Sequence, residues 1–330
     1  MSWAETALTR LLDVRWPIVQ APMAGGTSTT RLAAAVSEAG GLGSVAGAVL
    51  SPDELEAEIR EMRALTAKPF AVNLFAPLPP PSGDRVTEWA ALVGAEPELP
   101  SLPAWSVDDQ LDVLAAAEVP ILSFTFGIPP LDRFDAITIG TATTVEEAVA
   151  LERAGVDAVV AQAFEAGGHR GTFLSEPDRA LVGSLALVPQ VVDAVSVPVI
   201  AAGGIMDGRT LAAALTLGAQ GVQLGTAFID SPESGATEEH RAALGDETCL
   251  TPVFTGRHAR GVRTPIVAEL ERSGLEPPDF PLARYLFPEP VHLAGQGGAL
   301  ARALPAGELV QILASETEAA IARLGRGPGG

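Results

Sequence analysis

The sequence has little of several residues that carry common chemistries. It has one cysteine, Cys249, so an intramolecular disulfide and a cysteine-based metal site are both excluded. It has one lysine, Lys68, directly before Pro69 at the start of an apolar run. In an alternating strand–helix fold that is the wrong end of a strand for chemistry. A Schiff-base aldolase or a pyridoxal enzyme is therefore disfavoured. The four histidines, 169, 240, 258 and 292, lack paired ligand spacing, so no metal is expected. Ser123 and Ser184 lack a nucleophile-elbow context. No apolar run approaches the roughly 18 residues of a membrane span. The first residues, MSWAETALTRLLDVRWPIV, hold Glu5 and Asp13 and no long apolar core, so they do not read as a signal peptide and a cytoplasmic location is expected.

Acids outnumber bases by 41 to 21, giving a formal charge of -20. Such a surface repels phosphate backbones and anionic lipids, so neither a nucleic acid nor a membrane is an expected partner.

What is present is a repeating rhythm of short apolar runs and helical stretches in 330 residues. Expected strands are WPIVQA from Trp16, GLGSVAG, FAVNLF from Phe70, ILSFTF (121–126), AITIG (136–140), AVVAQA (158–163), VPVIAAG (197–203) and GVQLGT (221–226). Between them lie helices such as the one after Ser51, an N-cap followed by Pro52, Asp53 and Glu54. Eight alternating units favour a closed (β/α)8 TIM barrel, an α/β fold of roughly 250 residues, over an open sheet. The expected organisation is a barrel over 1–230 with a Pro-rich, irregular insertion at about 77–106. A helical cap or substrate lobe without clear strands follows over 231–305. A C-terminal helix from Ala306 to about Leu324 then packs on the barrel, with a disordered tail to 330.

Reactive groups in a barrel gather at the C-terminal ends of the strands. After the sixth expected strand comes QAFEAGGHRG, where Gln162 closes the strand and Gly167 and Gly168 allow close backbone approach to a ligand. His169 follows on a loop at that face, where an imidazole suits proton transfer near neutral pH. Gly203 and Gly204 follow the seventh strand; Gly225 and Thr226 follow the eighth. Bare amides on those two loops suit a phosphate. Pro22 and Met23 after the first strand would place a rigid turn and an apolar side chain beneath a planar ring. Asn73 in FAVN is compatible with either a ligand contact or a purely structural role.

Together the segments PIVQAPMAGG, FAVNLF, SFTFG, QAFEAGGHRG, VPVIAAGGI, GVQLGTAF and AGQGG resemble the nitronate monooxygenase family, over about Pro17 to Gln296. EAGGH also resembles the flavin-type enoyl-ACP reductases; SFTFG is closer to the monooxygenases. The resemblance implies FMN as cofactor. It implies FMN ligands at Asn73, Gln162, Gly167, Gly204, Gln223, Leu224, Gly225 and Thr226. Pro22 and Met23 would lie against the flavin ring with a backbone amide near N5, Gln296 would sit in a segment folding back on the cofactor, and His169 would be catalytic. The implied reaction oxidises an alkyl nitronate, or a nitroalkane, with dioxygen to a carbonyl compound and nitrite. His169 would act as a neutral base or as a cationic anchor, and both roles stay open here. Two other readings stay open: an FMN-dependent NAD(P)H:quinone or enoyl-ACP reductase-like enzyme, and a barrel that only binds a phosphate-bearing ligand. The lobe can also serve as an interface, so a homodimer is compatible with the sequence.

Overall fold

A computed structural model describes residues 2–99, 102–133 and 135–324. The tail expected to be disordered, 325–330, lies outside the described residues.

Among the described residues eleven strands form in chain order. They are β1 (Ile18–Gln20), β2 (Gly43–Ala46), β3 (Phe70–Phe75), β4 (Ile121–Thr125), β5 (Ile137–Ala142), β6 (Ala158–Gln162), the two-residue β7 (Gly168–His169), β8 (Val199–Ala202), β9 (Gly221–Leu224), β10 (Thr248–Thr251) and β11 (Ala259–Val262). Eight of them pair in parallel in the order β1-β9-β8-β6-β5-β4-β3-β2. A parallel bridge from Val19 to Leu42 joins the two ends. Buried Gln20 reinforces this seam, because its side-chain oxygen accepts the Ser44 N–H at 2.8 Å. The fold is the (β/α)8 TIM barrel expected from the eight apolar runs.

The barrel is closed at the bottom and open at the top. The N-terminal helix Ala7–Leu12 puts Leu8 and Leu12 into one cluster with the inward-facing Val19, Ala71, Ile121, Ile139, Val160 and Ile200. Gly221 is glycine because Leu8 fills its side: a Cβ there would lie 2.4 Å from a Leu8 methyl. This plug leaves the carboxyl ends of the strands as the available mouth. The outer helices start where the sequence caps them. Helix Pro52–Leu65 has a reciprocal capping box between Ser51 and Glu54, and helix Gly208–Thr216 has one between Asp207 and Thr210. The C-terminal helix Ala306–Leu324 sets Ala306, Leu309, Val310 and Leu313 into the main core. Among the described residues no helix is long and apolar enough to cross a membrane.

The lobe over the mouth differs from the sequence reading in two ways. First, it holds strands: β10 and β11 pair antiparallel, and β11 pairs with β7. These strands escape an apolar pattern because Arg260, buried at their centre, satisfies itself on the Phe164 carbonyl and lies over the Phe164 ring. Second, the Pro-rich insertion contains the helix Val86–Val93. Val86, Trp89 and Ala90 from that helix share a buried cluster with Val253, Phe254, Val267 and Leu286 of the lobe. The insertion is thus part of the lobe's own core.

Candidate active site

A cavity of about 490 Å3 opens between the barrel mouth and the lobe. Small-molecule and cofactor sites typically span about 300–1,000 Å3. Pro22, Met23, Asn73, Gln162, Gly167, Gly168, His169, Gly203, Gly204, Gln223, Leu224, Gly225 and Thr226 all line it. Residues from five separate loops and strand ends, spread over two hundred positions, therefore converge at one place.

Gln296 is not part of that lining. Its side chain is exposed, and Gly295 and Gly297 face the cavity instead. The reason is a close crossing of two backbones. A Cβ on Gly167 would lie 2.5 Å from the Gly295 nitrogen, and the Gln296 N–H donates to the Glu165 carbonyl at 3.0 Å. The AGQGG and EAGGH segments are glycine-rich because they touch.

At the exits of β8 and β9 the main chain offers donors. Gly203 and Gly204 have φ of +115° and +70°, a conformation natural only to glycine. Among the described residues the N–H groups of Gly203, Gly204, Gly225 and Thr226 have no protein acceptor. Buried or half-buried amides without partners are costly, and four at one end of a cavity make a cradle for a phosphate. The Thr226 hydroxyl is engaged, accepting the Gly295 N–H at 2.9 Å.

Other polar groups divide into free and committed. Asn73 donates to Ser123 Oγ at 3.0 Å, which leaves its Oδ1 without a donor among the described residues. The Gln223 side chain makes no hydrogen bond among the described residues. The Gln162 side chain, in contrast, is used by the loop it precedes. Its Nε2 donates to the His169 carbonyl at 2.9 Å and its Oε1 accepts the Gly171 N–H at 2.8 Å. Gln162 therefore pins the histidine loop. The turn after β1 commits one of its amides. The Met23 N–H donates to Ser28 Oγ at 2.8 Å, so the amide it leaves available is that of Ala24.

His169 sits in an aromatic box. Phe280, Phe126 and Phe75 meet its ring edge-on at 5.3, 5.8 and 6.5 Å between centroids. Its Nε2 lies 2.9 Å from Thr255 Oγ1, which comes from the lobe. Burial, with a smaller contribution from the Arg257 charge, lowers the His169 pKa to about 4. Against the protein's own groups alone, this favours a neutral imidazole near pH 7. Phe126 itself holds a φ of +77°, unusual for a bulky residue and of the kind that concentrates at functional sites. Thr255, Phe126 and Phe280 were not singled out from the sequence; only proximity in the fold marks them. Cys249 is buried away from this cavity, and burial pushes its thiol up to about 11. It stays protonated and unreactive.

Comparison with known proteins is consistent across methods. Residues 5–316 match the pattern of the family described as nitronate monooxygenase. A probable nitronate monooxygenase of Staphylococcus saprophyticus is 43% identical over 302 residues, covering 85% of this chain and 85% of that one. The solved nitroalkane oxidase of Streptomyces ansochromogenes superposes with a TM-score of 0.88 at 41% identity, covering 97% of this chain and all of that one. FabK from Thermotoga maritima superposes with a TM-score of 0.76 at 30% identity, covering 97% and 98% of the two chains.

Proposed function

The chain belongs to the nitronate monooxygenase family, and from that premise we propose that it is an FMN-dependent oxidoreductase converting alkyl nitronates and dioxygen to carbonyl compounds and nitrite. The observation that carries this reading is the pairing of an unsatisfied amide cradle with a neutral, aromatic-boxed histidine across one cavity. The cavity fits FMN in volume and in donor placement. FMN, when bound, would supply the redox chemistry between nitronate and dioxygen.

This chain's residues would do the rest. The amides of Gly203, Gly204, Gly225 and Thr226 hold the phosphate. Asn73 Oδ1 and the Gln223 amide would be available to polar groups of the cofactor, and Met23 would give it an apolar neighbour. Phe75, Phe126 and Phe280 pack edge-on around the His169 ring. A neutral imidazole accepts a proton from carbon, which converts a nitroalkane to its nitronate in place. A nitronate supplied as such needs no base.

His169→Ala separates these roles. General-base assistance is worth about 10²–10⁴ in rate. The variant should lose about that factor on a neutral nitroalkane, keep its FMN, and lose far less on the preformed nitronate. Equal activity of variant and parent on the nitroalkane would remove His169 from the mechanism.

A further inference from the structure

A second cavity, of about 460 Å3, abuts the first on the other side of Phe126, which lines both. Pro77, Leu78 and Pro79 form one wall and Phe173 another. Its polar side carries Arg170, Arg257 and His258. Among the described residues no aspartate or glutamate lines it, the acid that acts on His258, Asp178, lying outside the lining, although acids outnumber bases two to one in the chain.

Neither guanidinium forms an ion pair among the described residues, although Glu147 lies near enough to both to offset part of their charge. Arg170 is 1% exposed. Its terminal nitrogens donate to the carbonyls of Ala163, Gln162 and Ala180 at 2.7–2.9 Å. Its Nε is buried with no acceptor among the described residues. Arg257 forms no ion pair among those residues. It donates to the Thr172 carbonyl and lies 4.0 Å over the Phe126 ring. The nearby carboxylates are occupied elsewhere. Glu147 accepts from Thr143, Phe173 and Leu174, and Glu165 from Ser184. Burial lowers the Arg170 pKa to about 10 and pulls that of Arg257 down as well. Glu147 and Glu165 act on these cations through space only; partly desolvated guanidiniums whose hydrogen bonds go to neutral carbonyls still attract an anion.

We propose that this second cavity binds a small organic anion, with its charged group on Arg257 and His258, above the buried Arg170 charge, and its apolar body against Pro77, Leu78, Pro79 and Phe173. The ligand class is a carboxylate or a phosphate ester with a short apolar chain. The site stands one ring away from His169, whose centroid is 5.8 Å from that of Phe126. It is distinct from the amide cradle, which lies at the exits of β8 and β9 and uses no charged side chain.

The test is calorimetric titration of the protein saturated with FMN, which blocks the first cavity. Hexanoate, hexyl phosphate, inorganic phosphate and neutral hexanol are titrated in parallel. Hexanoate or hexyl phosphate should bind one to one, and the tighter of the two identifies the head group. Hexanol should bind at least about tenfold more weakly, since a charge-assisted contact outweighs a neutral one. Arg257→Gln should weaken the anion at least about tenfold while Arg257→Lys weakens it less. Ser175→Glu, which adds a negative charge to the same wall, should abolish binding without touching Arg257; it carries the test if Arg257→Gln fails to fold. Binding of inorganic phosphate alone, hexanoate binding that survives both Arg257→Gln and Ser175→Glu, or no binding of either organic anion overturns the proposal.

Discussion

His169 Nε2 and Thr255 Oγ1 lie 2.9 Å apart, and this contact assigns the imidazole proton. The Thr255 hydroxyl has one hydrogen. It donates that hydrogen to the Arg257 carbonyl at 3.1 Å and accepts the Arg257 N–H at 3.3 Å. Its remaining lone pair then receives a hydrogen from His169 Nε2. The arrangement satisfies all three groups and leaves Nδ1, without a protein partner among the described residues, as the basic nitrogen.

Thr255→Val keeps the shape and removes the hydroxyl. An unsatisfied Nε2–H costs about 1–3 kcal/mol, so turnover of a neutral nitroalkane should fall by roughly tenfold or more with KM little changed. Thr255→Ser should restore it. Nitrogen-15 NMR of the histidine gives a readout independent of activity: the parent should show a protonated Nε2, and the valine variant a mixture of tautomers. A parent protonated at Nδ1 would reverse the assignment.

The pH dependence follows from a pKa lowered to about 4. Activity on a neutral nitroalkane should show its acid limb near pH 4 and be flat through 6.5, where an exposed histidine would titrate. Stability carries the matching signature. Between about pH 6.5 and 4 the unfolded chain takes up the His169 proton while the folded chain does not. Stability should therefore fall with acidification across that window, by at most about 1.4 kcal/mol per pH unit from this group. Below pH 4 the contribution levels off. Denaturant titrations of the parent and His169→Gln at pH 7, 5.5 and 4.5 check the slope; equal slopes would contradict it.

The cradle is tested at Gly204. A Cβ there would meet its nearest atom at 3.4 Å, so there is room, but φ is +70°. Gly204→Ala and Gly204→Asp should share a strain cost of about 1–2 kcal/mol. Only the aspartate adds a negative charge beside the phosphate position, and two charges about 4 Å apart repel by about 1–4 kcal/mol. FMN binding, followed by flavin fluorescence, should weaken about tenfold more in Gly204→Asp than in Gly204→Ala. Equal affinities would move the phosphate elsewhere.

The barrel was legible because each strand carries its own apolar run, and helix starts such as Ser51-Pro52-Asp53-Glu54 announce themselves locally. The strand exits then placed His169 and the two glycine loops at one mouth. The lobe was less legible. In ARGV, Arg260 occupies a buried strand position only because the Phe164 carbonyl and ring, nearly a hundred residues earlier, receive it. The insertion did hold a signal: Val86, Trp89 and Ala90 fall at the i, i+3, i+4 spacing of a helical face amid the prolines. Thr255 had none, since its importance comes from contact with a residue 86 positions away. Gln162 and Met23 line the cavity with the other expected residues, but which of their groups is free depends on loop hydrogen bonds that no spacing reveals.

The central claim is that electrons enter from a nitronate. The purified, FMN-loaded protein would be mixed without oxygen with ethylnitronate in one sample and with NADH or NADPH in others, following the visible flavin absorbance. The account predicts a rapid absorbance change with the nitronate alone, and nitrite once air is admitted. Bleaching by a nicotinamide with no response to nitronate would contradict it and identify a reductase.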